Sequence, residues 1–204
     1  MVANTVLLVL VYVDDSITTR SAPYAVSSLI LKLDIEFTIT DLGRLNYLLD
    51  IEAHHLSNGI FLTQSKYAMD LLNRTDMVNS KPCSTPMTPS GPKLTKDTGL
   101  TFPDVTLYRS TVATLQYLTL TCPDLSFCVN KVCQFMQSPT LNHWMAIKRI
   151  LRYIKGTTHY GIQIKPIEKF ELTAAFTDAN WAGCPDDRKS TSGFCVYFAP
   201  NLIS

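Results

Sequence analysis

The sequence predicts an α+β fold. Three observations carry that expectation. Short β-branched and aliphatic runs bounded by turn residues occupy both ends of the chain. Helical periodicity dominates residues 105–155. A Pro-rich stretch, residues 81–104, interrupts the pattern between them.

At the start, Thr5 to Val13 is the kind of run that makes a buried strand, and it leads directly into Asp14-Asp15; Ser16 to Thr19 is again β-prone. Strand, acidic turn, strand is a hairpin with carboxylates at its tip. Residues 23–35 read as a helix, because Pro23 suits a first turn and Val26, Leu29, Ile30 and Leu33 share one face. Phe37 to Ile39 alternate as a strand would. Tyr47 to Ala53 and Ile60 to Leu62 flank Ser57-Asn58-Gly59, which predicts a second hairpin, and Thr63 is placed to cap a helix that turns Tyr67, Leu71 and Leu72 inward.

Residues 81–104 hold Pro82, Pro86, Pro89, Pro92 and Pro103 with Gly91 and Gly99, the composition of a linker or of a segment laid over a surface. Three helices are expected next: about Val105 to Leu120, then from an Asp124 cap to about Gln137, then Thr140 to Lys155, stopping at Gly156. In the third, Trp144, Ile147, Leu151 and Ile154 line one face. Lys148, Arg152 and Lys155 share another, so one side packs and the other is a cationic ridge. From His159 the pattern returns to strands at Gly161 to Lys165, Glu171 to Asp178 and Gly193 to Phe198.

With 46% hydrophobic and 17% charged residues, the 204-residue chain has the apolar material for a packed core and is not of a disordered composition. Its longest purely apolar run, Val6 to Val11, falls far short of the roughly 20 residues that cross a bilayer, and no basic segment precedes it, so neither a membrane span nor an export signal is expected. The six cysteines form no Cys-x-x-Cys pair, which points to reduced thiols rather than to zinc or a disulfide framework. A net charge of +1 excludes a wholly basic nucleic-acid wrapper. It hides segregation, because residues 131–169 carry seven basic side chains against Glu168 alone.

Asp14 and Asp15 raise a chemical question. Adjacent carboxylates repel, and at a turn tip they call for a compensating cation. A divalent metal with a taste for hard oxygen ligands answers it, while a solvated turn is the plain alternative.

Tyr12-Val13-Asp14-Asp15 resembles the Tyr-x-Asp-Asp box of reverse transcriptases. Further blocks follow in order: Asp41-Leu42-Gly43, Gln64-Ser65-Lys66-Tyr67, Lys81-Pro82-Cys83-Ser84-Thr85-Pro86-Met87, Tyr108-Arg109-Ser110, Leu115-Gln116-Tyr117-Leu118-Thr119, and Lys148-Arg149-Ile150-Leu151-Arg152-Tyr153. Asp178-Ala179-Asn180-Trp181-Ala182-Gly183-Cys184 and Arg188-Lys189-Ser190-Thr191-Ser192-Gly193 complete the series. Together they resemble the polymerase region of copia-type LTR retrotransposon Pol polyproteins over almost the whole chain.

The resemblance implies a palm through residue 80 with a primer-grip-like hairpin, a Pro-rich linker over 81–104, and a helical thumb or connection over 105–158. A truncated ribonuclease H-like start would occupy 159–204. Asp14 and Asp15 would ligand catalytic Mg²⁺ or Mn²⁺, Tyr12 would lie near the primer terminus, and Asp178 would be the first ribonuclease H metal ligand. Lys148, Arg152 and Lys155 would meet phosphates of an RNA template and DNA primer or hybrid. The implied partners include upstream and downstream Pol segments. The implied location is intracellular, in a cytoplasmic particle or the nucleus.

Five positions depart from the family pattern: Cys122 stands for an arginine, Asp50 for a glycine, Asn180 for an aspartate and Ala113-Thr114 for Gly-Ala. No acidic residue precedes Asp14, and Asp186 and Asp187 are the acids after Asp178. Both carboxylate clusters are therefore expected to be incomplete and the chain inactive alone. A nucleic-acid-binding remnant without catalysis and an unexpressed relic are the alternatives.

Overall fold

A computed structural model describes residues 6–20, 23–88, 94–96, 99–169 and 171–203; Pro89, Gly91 and Pro92 of the Pro-rich stretch lie outside them. Packing divides the chain into two units, residues 1–49 and 50–204.

In the first unit β1 (Leu7–Tyr12) and β2 (Asp15–Arg20) form an antiparallel hairpin in which Tyr12 pairs with Asp15. The turn residue Val13 has φ +49°, a left-handed conformation that a β-branched residue rarely adopts. Helix α1 (Pro23–Glu36) packs on β2. The expected strand at Phe37 to Ile39 does not form. The Phe37 N–H donates to the Leu33 carbonyl at 2.7 Å, closing the helix, and the residues that follow are exposed. Alternation alone does not make a strand; it needs a ladder partner, and among the described residues none pairs here.

After β3 (Tyr47–Leu48) come two successive residues of positive φ, Leu49 at +48° and Asp50 at +59°, the signature of a tight two-residue turn. In the second unit β4 (Ile51–Leu56), β5 (Gly59–Thr63) and β6 (Gly161–Ile164) make an antiparallel sheet, with Ala53 opposite Leu62 and Leu62 opposite Ile162. Gly59 and Gly161 are required there: an added Cβ would stand 2.0 Å from the Ile164 carbonyl oxygen and 2.1 Å from that of Leu62. Thr63 does not cap α2 (Ser65–Arg74). Gln64 occupies the cap position, and the Thr63 hydroxyl donates instead to the Tyr160 carbonyl at 3.0 Å, tying β5 to the loop before β6.

The core is helical. α3 (Val105–Leu118), a 3₁₀ turn at Pro123–Leu125, α4 (Ser126–Cys133) and α5 (Leu141–Thr157) pack with α2. Asp104 starts α3 by accepting from the Leu107 N–H at 2.8 Å. Trp144, Ile147, Leu151 and Ile154 are all buried, as their spacing requires, alongside Leu71, Leu115, Leu118 and Leu125. Each fully buried leucine contributes about 1.5–3 kcal/mol. Phe102 stacks on Trp144 with ring centroids 4.7 Å apart, and the buried Tyr108 hydroxyl donates to the Val132 carbonyl at 2.9 Å. Burial pushes the Tyr108 phenol up, away from ionisation.

Asp124 is not a helix cap: its carboxylate accepts from the Tyr153 hydroxyl at 2.6 Å, joining the start of α4 to α5. Nor does Gly156 end α5. The helix continues to Thr157, and an added Cβ at 156 would lie 3.2 Å from Pro82 Cβ, so the glycine makes room for the Pro-rich segment.

That segment lies along α5. The Cys83 N–H donates to the Arg152 carbonyl at 3.3 Å, and Phe102 N–H to the Pro139 carbonyl at 2.9 Å. Finally β7 (Leu172–Asn180), β8 (Thr191–Phe198) and β9 (Asn201–Leu202) form an antiparallel sheet. It is tied to β6 by buried Asn201, whose amide bonds both ways with the backbone of Lys165, at 2.7 and 3.0 Å. The six cysteines are free thiols, and burial raises Cys128 to about 12.

Candidate functional site

The strongest sequence signal falls on the β1–β2 hairpin. The register fixes Val13 and Asp14 as its turn, with Tyr12 and Asp15 facing each other across the strands. Tyr12, Val13, Asp14 and Asp15 are all exposed; Val13 is 80% so. A turn held by a left-handed valine costs backbone energy, of order 1–3 kcal/mol, and such strain gathers where a side chain must be presented rather than packed.

Among the described residues no three His, Cys, Asp or Glu side chains gather so as to hold a metal ion. The donor chemistry still suits a hard cation. Mg²⁺ is commonly held by one or two carboxylates together with waters and substrate phosphates, and Asp14 and Asp15 offer that pair.

Asp178 lies in β7, exposed, opposite Gly193 of β8; its Oδ1 accepts from the Ala179 N–H at 2.8 Å. Asp186 and Asp187 do not join it. Asp186 accepts from the Lys96 N–H at 3.0 Å, and Asp187 pairs with Lys189 at 2.9 Å. Hydrogen bonds from Cys184 and Lys189 hold the Asp187 carboxyl well below the usual range.

The three cations of the α5 ridge are not equivalent. Lys148 is exposed and Lys155 half-buried, whereas Arg152 directs its Nε to the Lys81 carbonyl at 2.8 Å. Arg152 is thus partly spent on anchoring the Pro-rich segment. Arg149, next to Lys148 in the chain, does the same work through Thr85 Oγ1 at 2.7 Å. Arg109 donates to the Met136 carbonyl at 2.9 Å, a local role.

The departures from the family pattern take on physical meaning. Asp50 occupies a left-handed position that glycine would fill without strain. Cys122 sits half-buried beside the Tyr160 carbonyl, and burial raises its thiol. Asn180 lies over Gly183, where an added Cβ would come within 2.2 Å of its amide nitrogen.

A family model described as reverse transcriptase (RNA-dependent DNA polymerase) matches residues 2–89. The chain is 44% identical to the retrovirus-related Pol polyprotein from transposon RE1 of Arabidopsis thaliana, over 98% of its own length and 14% of that protein's. It is 33% identical to the corresponding polyprotein from transposon TNT 1-94 of Nicotiana tabacum, over 98% of this chain and 16% of the relative. It is also 43% identical to an uncharacterized mitochondrial protein of Arabidopsis thaliana, over 97% of this chain and 81% of that one. The chain thus spans about one seventh of the length of the transposon RE1 relative. No solved structure matches.

Proposed function

The chain belongs to the reverse transcriptase family of copia-type retrotransposon Pol polyproteins, and on that footing we propose that it carries the metal-binding hairpin of an RNA-directed DNA polymerase. The thumb or connection helices and the opening strands of a ribonuclease H follow it. In this reading the palm runs through residue 80, the linker over 81–104, the helical part over 105–158 and the ribonuclease H-like start over 159–204. It acts inside the cell on an RNA template with a DNA primer or hybrid, joined to the other Pol segments.

The observation that carries the reading is the hairpin: two carboxylates on a strained, exposed turn directly after an apolar strand. Asp14 and Asp15 would hold Mg²⁺ or Mn²⁺, and Tyr12 would sit beside the primer terminus. Metal held there would supply activation of the primer hydroxyl and neutralisation of charge on the leaving pyrophosphate. Asp178 would do the equivalent holding in the ribonuclease H part. Lys148, Lys155 and, in part, Arg152 would hold phosphates without reading sequence.

In this reading the 204 residues by themselves do not extend a primer: among the described residues no third carboxylate joins Asp14 and Asp15, and one carboxylate pair is a small donor set for two metal ions. The same observation favours, as a second reading, binding without catalysis. Incubating the purified chain with a labelled primer on an RNA template tests both. Expected are no extension and a binding constant that falls steeply with salt. Extension would overturn the inactivity, and absence of binding would overturn the nucleic-acid role.

A further inference from the structure

A cleft of about 960 Å³ opens in the second unit between α4, α5, the Pro-rich segment and the β7–β8 end of the last sheet. It falls at the upper end of the roughly 300–1,000 Å³ usual for ligand pockets, a space for a small ligand or a short single strand rather than a duplex.

Two facing helices line it with the same pattern. On α4, Phe127 is followed one turn later by Lys131; on α5, Met145 is followed one turn later by Arg149. Residues four apart share a helix face, so each wall offers an apolar surface and a cation roughly 5–6 Å away. Phe127 is 52% exposed and Met145 66%. The Thr85 hydroxyl fixes the Arg149 guanidinium while leaving other N–H donors on it. The carboxylate among the lining residues, Asp124, is held by the Tyr153 hydroxyl.

The sheet side of the cleft includes Asn180 and Thr191, which pair across β7 and β8. Strand side chains alternate, so Asp178, two residues before Asn180, lies on the same face about 7 Å farther along. Its partner Gly193 presents no side chain, and nothing stands within 4 Å of where a Cβ would be.

We propose that this cleft holds unpaired nucleotides of a single strand, bases against Phe127 and Met145 and phosphates at Lys131 and Arg149. The inference rests on the nucleic-acid reading above but names a different surface from the Lys148, Arg152 and Lys155 ridge.

Fluorescence anisotropy of the full 204-residue chain tests it, with labelled 12-nucleotide single strands and abasic strands of equal length. Phe127→Ala should weaken binding of the base-bearing strand about tenfold and leave the abasic strand unchanged. Lys131→Ala should weaken both and reduce the slope of log K against log salt by about 0.7. Neither side chain is in the core, and unchanged melting temperatures would confirm that both variants fold. If the parent binds and both variants match it, or if the parent binds abasic and base-bearing strands equally, the cleft assignment fails while the nucleic-acid reading stands. If the parent binds no strand, both fail.

Discussion

His143 shows how one residue can be fixed by its neighbours' chemistry. The Thr140 backbone N–H points at Nδ1, 3.0 Å away, and a backbone N–H can only donate, so the neutral ring carries its proton on Nε2 and gives it to the Thr95 carbonyl at 3.0 Å. The ring is fully buried and stacks on Phe135 at 3.9 Å. Burial lowers its pKa, with the Thr95 carbonyl and Asp186 pulling weakly the other way. The unfolded chain therefore binds the proton more readily. The stability from neutral His143 is fully present above its unfolded value of about 6.5 and is lost as pH falls through the lowered folded value. The melting temperature should drop between about pH 7 and 5. His143→Phe, which keeps the stack but cannot titrate, should melt lower at pH 7, by about 1–3 kcal/mol for the orphaned Thr140 N–H, with a flatter pH profile. An unchanged profile would assign the dependence to another group. Asp50 is the second residue-scale case. Its mismatch with an expected glycine was visible in the sequence; the positive φ that explains it was not. Asp50→Gly should stabilise the chain by up to about 1 kcal/mol in urea denaturation, and a loss would show that the carboxylate's own contacts outweigh the strain.

At the scale of elements, α5 was legible because its apolar spacing is unbroken from Trp144 to Ile154, about three turns, and every residue on that face found a core. Phe37 to Ile39 was misread because alternation is local and strand pairing is not. Asp124 and Thr63 were misread for a related reason. Each sits where a cap belongs, but a distant partner, Tyr153 or the Tyr160 carbonyl, competes successfully for it. The cationic ridge was legible as a pattern, while its division of labour needed the packed Pro-rich segment. That division is testable. Arg152→Ala should lower stability by about 1 kcal/mol and speed proteolysis near Lys81, because it frees the Lys81 carbonyl from its tether. Lys148→Ala should leave stability within about 0.5 kcal/mol while weakening nucleic-acid binding and reducing its salt dependence. An Arg152→Ala chain no less stable than the Lys148→Ala one would mean that Arg152 has no such tethering role.

In the second unit, the buried cluster among the described residues is drawn from residues 68–154. Leu8, Leu10 and Val11 are each more than 60% exposed. Leu151→Ala should therefore cost about 2–5 kcal/mol in thermal melting, whereas Leu10→Ser should leave the main transition in place. The family motifs, rather than packing, made the hairpin's role readable. The account turns on Asp14. In a polypeptide that joins this chain to the preceding polymerase segment of a Pol relative, Mg²⁺-dependent extension of a primer on an RNA template should fall to background with Asp14→Asn, with folding intact. Extension surviving that substitution at the parental rate would contradict the assignment of the hairpin as the polymerase metal site.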